Sequence, residues 1–430
     1  MSFFSKVKRE LLKKYFFKKN KNNYFEFQFL SKEEKEKHTL GKLKNIIKVA
    51  VDTVPYYKNV KIDFDNFSLE ELKKFPIIDK NIIRSEMDSF ISSKKNAQSI
   101  LSHTSGSSGK PFNFYVTQES EALEDLTAYR AWSMGREYSY IPNDPVLVLR
   151  TYVPKDGDPL YKVDKRRNYW YLSPFDINNK NLELYLEVIK KSEAKIIRGY
   201  GSSIYLFTLL LKENKVKVPQ LKTIVTSSET LIPYQRRIIE DYWGIPVLDW
   251  YGQNERAITV QQCWAGNYHN NDDYGLVELN EKNQIIATSL NNDIMPFIRY
   301  NTEDVAIPMD ENIDECKCGR TLSIPFKAVL GRSDDILVKS DGTKIPTANF
   351  STAMKNYEKL KQFKIIQKID NTLDLYLVLE KNVNDLYIEK IRGEVIQRLG
   401  NLEINVELVN EIERDRRTGK IKVTECLLKD

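Results

Sequence analysis

From about residue 118 the apolar positions of this chain switch repeatedly between two periods. Ala122, Leu123, Leu126, Tyr129 and Trp132 fall at helical spacing within residues 118–136, and VLVLRT (146–151), after Pro145, reads as a strand. Three helix–strand pairs follow. LELYLEVIKK (182–191) precedes AKIIRGYG (194–201), SSIYLFTLLLKEN (202–214) precedes LKTIVTSSE (221–229), and PYQRRIIEDYW (233–243) precedes IPVLDWYG (245–252). Helices of about 10–15 residues alternating with short β-branched runs predict an α/β fold with a substantially parallel sheet. The strand runs end in polar clusters: RGYGSS (198–203), TSSET (226–230) and WYGQNE (250–255). Ligands of open α/β sheets bind beyond the carboxyl ends of the strands, so these clusters are expected to line one crevice.

Beyond Gly331 the texture changes. DDILVK (334–339), KQFKIIQKI (361–369), TLDLYLVLE (372–380), INVELV (404–409) and KIKVTECLL (420–428) read as short strands around helices near 347–357 and 384–399. A small α+β unit of about 100 residues is large enough to fold by itself. The polar segment GRSDD (331–335) suits a hinge. The expected division is a large N-terminal α/β domain over 1–331, with a helical lead-in over 1–100, and a small mobile C-terminal domain over 332–430.

A chain of 430 residues with 41% apolar and 29% charged positions has the composition of a globular protein with a large core. Its net charge of +6 does not by itself imply nucleic acid, and none is expected as a partner. Much of the excess lies in one place: Lys6, Lys8, Arg9, Lys13, Lys14, Lys18, Lys19 and Lys21 stand against Glu10 alone. Interleaved with Phe3, Phe4, Leu11, Leu12, Phe16 and Phe17, they predict a helix packed on the main domain with its lysines in water. A basic helix lying on an anionic membrane is the other reading. No run of 18 apolar residues or signal-peptide pattern occurs, and four cysteines are too few for a disulfide framework, so a cytoplasmic protein is expected.

HTSGSSGKPFNFYVT (103–117) gathers hydroxyls, glycines and Lys110 on one loop, which points to phosphate. The P-loop template fails here. Only Ser107 and Ser108 separate Gly106 from Gly109, and Pro111 stands where a magnesium-binding hydroxyl belongs.

TSGSSGKP (104–111), YGQNE (251–255), YNTEDVA (300–306), GRSDD (331–335) and RRTGK (416–420) occur in this order over most of the chain. Together they resemble the successive core motifs of the adenylate-forming superfamily: acyl-CoA synthetases, adenylation domains and luciferases. TSSETLIPYQRRIIE and the final RRTGKIKV look most like its phenylacetate–CoA ligase and CapK-like branch. The resemblance implies attack of a carboxylate on the α-phosphate of ATP, giving an acyl-adenylate and pyrophosphate. Both reactants are anions, so the site must supply cations and hydrogen-bond donors where charge builds up.

By resemblance, Thr104, Ser105, Gly106, Ser107, Ser108, Gly109 and Lys110 wrap the terminal phosphates. Ser228, Glu229 and Thr230 cradle adenine, and Tyr251 stacks on it. Gly252 permits close approach, Gln253 and Asn254 neighbour the nucleotide, and Glu255 is the magnesium ligand. Asp304 accepts the ribose hydroxyls with help from Arg332, Asp334 is the hinge, and Lys420 reaches the α-phosphate and the substrate carboxylate. Tyr200, Gly201 and Tyr205 are expected at the acyl group. Asn254 stands where the family usually has Thr, and Glu303 where it has Gly. The acceptor implied is CoA or an amine, the latter an amino sugar or sugar-linked group, since CapK-like relatives are associated with surface polysaccharides. A catalytically degenerate nucleotide-binding protein and a membrane-surface scaffold are the alternatives.

Cys263 and His269, with Cys316 and Cys318, form two pairs that bracket 263–318, within an expected zinc subdomain over 262–320. Three thiolates and one imidazole would fill a tetrahedral structural zinc site.

Overall fold

The computed structural model describes residues 3–96, 99–103, 113–155, 157–218, 220–231, 233–311, 313, 315–332, 337–339, 341, 343–345, 350, 353–354, 357–414 and 421–428, with backbone alone at 3–10, 332 and 344. Two compact units emerge, residues 1–140 with 250–329, and 141–249 with 330–430. The segment expected as a separate domain from 332 thus groups with 141–249.

In the first unit, α1 (Phe3–Phe27) and α2 (Lys32–Thr53) are followed by the short α3 (Lys80–Ser85), β1 (Ile100–His103), β2 (Asn113–Val116) and α4 (Gln118–Trp132). α2 begins at a capping box. Ser31 Oγ accepts from Glu34 N at 3.3 Å, and the Glu34 carboxylate accepts from Ser31 N at 3.0 Å. α1 lies along α4, with the Phe17 and Tyr129 rings 5.6 Å apart and Lys13 paired to Asp125 at 2.7 Å. Below them Arg130 is fully buried, its fork on both carboxylate oxygens of Asp273 at 2.9 Å each and its guanidinium 3.7 Å from the centre of the Tyr24 ring. A charge tolerates such burial only when paired and hydrogen-bonded in this way.

The second unit opens with β3 (Val146–Leu149), β4 (Tyr161–Asp164), β5 (Tyr169–Leu172), α5 (Leu182–Ser192), β6 (Ile196–Gly199), α6 (Gly201–Glu213), β7 (Thr223–Ser227), α7 (Pro233–Trp243) and β8 (Val247–Gly252). The predicted alternation is present, with sheet order β7-β6-β3-β5-β4. β5, β3, β6 and β7 run parallel, and β4 closes the edge antiparallel. Leu149, Gly199 and Thr226 share one row across three strands. Gly199 is demanded there, because a Cβ would stand 2.6 Å from Leu149 O.

Back in the first unit come β9 (Thr259–Gln262), β10 (Tyr268–Asn270), β11 (Gly275–Leu279), β12 (Gln284–Ser289), β13 (Tyr300–Ile307) and β14 (Ala328–Arg332). The end of β8 pairs antiparallel with β9, and β11, β12 and β13 form an antiparallel sheet whose edge β14 joins. Leu43, Ile47, Phe114, Ile258, Ala287 and Tyr300 share this unit's core.

The C-terminal segment adds β15 (Leu337–Val338), β16 (Lys344–Ile345), β17 (Leu360–Gln367), β18 (Leu373–Leu379), α8 (Asp385–Leu399), β19 (Ile404–Leu408) and β20 (Thr424–Cys426). Its sheet runs β19-β18-β17-β20, and α8 buries Ile391, Val395 and Leu399. Asn384 caps α8, and Gly400 ends it at φ +85°. The helix expected near 347–357 falls mostly outside the described residues. Among the described residues no helix is long and apolar enough to cross a membrane.

Arg130→Met would strand the buried Asp273 carboxylate. A loss of about 3–5 kcal/mol is expected in urea unfolding; a change under about 1 kcal/mol would contradict the pairing described.

Candidate functional site

Two stretches expected at the nucleotide meet in the first unit. The Tyr251 hydroxyl, at the end of β8, donates to Asp304 Oδ2 on β13 at 2.7 Å, joining residues 53 positions apart. Gln253 Nε2 donates to the same hydroxyl at 3.0 Å, and its Oε1 accepts from Ile258 N at 3.3 Å. Thr302 Oγ1 accepts from Asp304 N at 3.2 Å, fixing the turn that presents the carboxylate. Burial first, and Asp304 second, raise the Tyr251 phenol well above its ordinary range, so it stays a neutral donor. Gly252 and Asn254 are exposed beside it.

Glu255 is buried, and its Oε1 accepts from the Tyr300 hydroxyl at 2.9 Å. Burial first, then Glu255, raise the Tyr300 phenol, which therefore also acts as donor. Carboxylate oxygens are hard donors of the kind that a magnesium ion takes.

Glu303 has φ +64°, in the left-handed region that favours glycine. The family's commoner Gly is thus explained by the backbone, and here a side chain is tolerated. Lys80 forms an ion pair with Glu303, and Asn301 Oδ1 accepts from Glu303 N at 2.9 Å.

In the second unit the TSSET segment follows β7. Ser228 has φ +68°, and Glu229 points back into the protein, where its carboxylate accepts from Ser202 N at 3.1 Å and Ile421 N at 3.0 Å. Burial raises its pKa, and those bonds pull against the rise. A Cβ at Gly331 would stand 2.9 Å from Thr230 Oγ1, at φ +98°. Tyr200 is buried at the start of α6, with Gly201 next to it. Tyr205 lies in the core, its hydroxyl donating to Lys361 O at 2.8 Å, which gives it a packing role.

The two cysteine-bearing stretches converge. Donor atoms of Cys263, His269, Cys316 and Cys318 all lie within 4.8 Å of one another. Cys263 Sγ and Cys316 Sγ are 3.7 Å apart, and Cys318 Sγ and His269 Nε2 are 3.4 Å apart. A disulfide needs about 2.05 Å, whereas the edges of a tetrahedron with ~2.3 Å metal–sulfur bonds are ~3.8 Å long. His269 Nδ1 lies 3.1 Å from Leu322 O, which assigns the proton to Nδ1 and turns Nε2 toward the sulfurs. Asn267 Nδ2 donates to Cys316 Sγ at 3.2 Å. The Cys318 thiol is pulled below its ordinary range, first by its hydrogen bond with Cys263 and then by His269. The four side chains can hold a zinc ion.

Thr104 to Lys110, Asp334 and Lys420 lie outside the described residues, as does the side chain of Arg332. The sequence reading gave no role to Tyr300, Thr302 or Lys80. Tyr300 and Thr302 stand inside the YNTEDVA motif already singled out, and that adjacency to Asp304 was the signal available. Lys80 had none.

Residues 337–425 match the family model of the CapK C-terminal domain. The chain is 24% identical to protein CapK of Staphylococcus aureus over 80% of its length and 78% of the relative's. It is 29% identical to phenylacetate-coenzyme A ligase of Thermus thermophilus, over 26% of this chain and 24% of that one. The solved structure of 2-hydroxyisobutyryl-CoA ligase in the postadenylation state superposes with a TM-score of 0.71 at 17% identity, covering 94% of this chain and 91% of that one. The resemblance drawn from the five motifs stands: the fold is that of the adenylate-forming ligases, and the sequence relatives lie in the CapK and phenylacetate–CoA ligase branch.

Glu303→Gly relaxes the left-handed backbone and forfeits the Lys80 pair. Stability is expected to stay within about 1 kcal/mol of the parent. Glu303→Val, β-branched at positive φ, should lose more than Glu303→Gly in the same urea titration; the reverse order would contradict the assigned strain.

Proposed function

We propose that this chain, an adenylate-forming ligase by fold and relatives, activates a carboxylic acid with ATP and passes the acyl group to CoA or an amine. An oxygen of the acid attacks the α-phosphorus, the bond to the β-phosphate oxygen breaks, and pyrophosphate leaves with that electron pair. The observation that carries this reading is the Tyr251–Asp304 hydrogen bond. Two residues assigned to the nucleoside from separate motifs stand in direct contact.

In this reading the Asp304 carboxylate accepts the ribose hydroxyls, with Tyr251 holding its other side and presenting a ring to adenine. Arg332 assists at the ribose, and the backbone of Ser228, Glu229 and Thr230 lines the base. Thr104 to Lys110 close on the β- and γ-phosphates, and Lys420 stands between the α-phosphate and the acid. One cation shared by two anions removes the repulsion that otherwise raises the barrier. Asp334 serves as hinge between the two half-reactions. Glu255 would hold a magnesium ion, which when bound offsets phosphate charge. The Cys263, His269, Cys316 and Cys318 cluster would hold a structural zinc with every position filled, leaving no open site for chemistry. The acceptor favoured by the names of the similar ligases is CoA. A sugar-linked amine, in surface-polysaccharide assembly, is the other acceptor in this reading.

ATP–pyrophosphate exchange across a panel of carboxylic acids should light up for one acid class. Silence across the panel, with ATP binding intact, would contradict the reading. Lys420→Ala is expected to bind ATP normally and to lose about 100-fold or more in exchange; near-parent exchange would remove Lys420 from the mechanism. Freshly purified protein should carry about one zinc per chain, and Cys318→Ser less than about 0.2. A metal-free parent chain with unchanged thermal stability would contradict the zinc site.

A further inference from the structure

The parallel sheet of the second unit ends in a row that the fold alone would not require. Leu149, Gly199 and Thr226 are in register, so the next row is Arg150, Tyr200 and Ser227, projecting from one face at the carboxyl ends of β3, β6 and β7. Arg198, two residues before Tyr200, shares that face by the period of the strand. Arg150 Nη1 donates to Ser227 Oγ at 2.8 Å, and its guanidinium carbon lies 5.2 Å from the centre of the Tyr200 ring. Arg414 approaches from the C-terminal segment of the same unit, its Nη1 donating to Ser203 Oγ at 3.0 Å.

Three guanidiniums thus stand around one phenol. Two carboxylates lie near Arg414: Glu411, and Glu229, whose oxygens each accept from a backbone amide, Ser202 N and Ile421 N. Contrast Arg130, whose fork is matched to both oxygens of Asp273. Arg150 instead meets a hydroxyl and a ring face. Burial first, and the neighbouring Arg198 second, bring its guanidinium down to about 10. Arg150 and Arg198 repel one another at the ends of parallel strands, and an anion bound between them would offset that repulsion.

We propose that the acid activated by this chain carries a second anionic group, a carboxylate or phosphate, which Arg150, Arg198 and Arg414 bind beside Tyr200. This rests on the acid-activating reading above and narrows its substrate class. Planar forks suit the two oxygens of a carboxylate or phosphate, and Tyr200 supplies a hydroxyl and an apolar wall between them.

The test uses pairs of acids with one skeleton, with and without a terminal carboxylate or phosphate, in ATP–pyrophosphate exchange and in thermal-shift binding. The parent is expected to favour the dianion by about 100-fold in kcat/KM. Arg150→Met and Arg198→Met should reduce that preference below about 10-fold with the KM for ATP unchanged. Arg150→Lys, which keeps the charge, controls for folding and should retain part of the preference. Equal use of the uncharged partner acid overturns the inference while leaving acid activation intact. A rise in the KM for ATP that matches the rise for the acid also overturns it, because the bound anion is then the nucleotide's. Without exchange for any acid, acid activation fails. Thermal shift then decides the arginine cluster alone: stabilisation by the dianion, lost in Arg150→Met, supports it, and no stabilisation overturns it.

Discussion

The hydrogen bond from Tyr251 to Asp304 is the constraint on which the candidate site rests. It ties the end of β8 to the turn in β13, and each partner is held in turn, Tyr251 by Gln253 and Asp304 through its own amide on Thr302. A second bond, Tyr300 to Glu255, repeats the arrangement one step away. In both pairs burial keeps the phenol protonated, so each carboxylate accepts from a neutral donor. That suits ribose hydroxyls at Asp304 and a hard cation at Glu255.

The second unit solves the opposite problem. Where the first unit presents carboxylates, the ends of β3 and β6 and the approach of Arg414 present cations. Gly199 makes this possible, because its missing side chain lets β6 lie against Leu149 O and brings Arg150 and Tyr200 into one row. Elsewhere a buried arginine is matched by Asp273 and contributes to the fold. The difference between Arg130 and Arg150 lies in what each one meets.

The alternating helices and strands of 182–252 were legible because each keeps one period for a full element, and α8 because Asn384 and Gly400 punctuate both its ends. The β4–β5 hairpin was not, since YKVDKRRNYWYL joins two four-residue strands through a charged turn with no glycine. The antiparallel sheet β11–β13 was also hidden, its register bulged between Gln284 and Ile286. In the candidate site, Tyr251, Glu255, Glu303 and Asp304 were singled out by motif order. Their partners were not: Lys80 reaches Glu303 across more than half the chain's folding, and pairings of that kind leave no local pattern. The cysteine and histidine cluster was readable because rare residues in two short stretches point to one centre.

In an acyl-adenylate intermediate an oxygen of the acid becomes bonded to the α-phosphorus of ATP. The most direct measurement is therefore isotope transfer. With an acid that supports turnover, labelled with oxygen-18 in its carboxylate, one labelled oxygen should appear in the AMP released after transfer to the acceptor. Label found instead in inorganic phosphate, or AMP released without it, would contradict an acyl-adenylate intermediate.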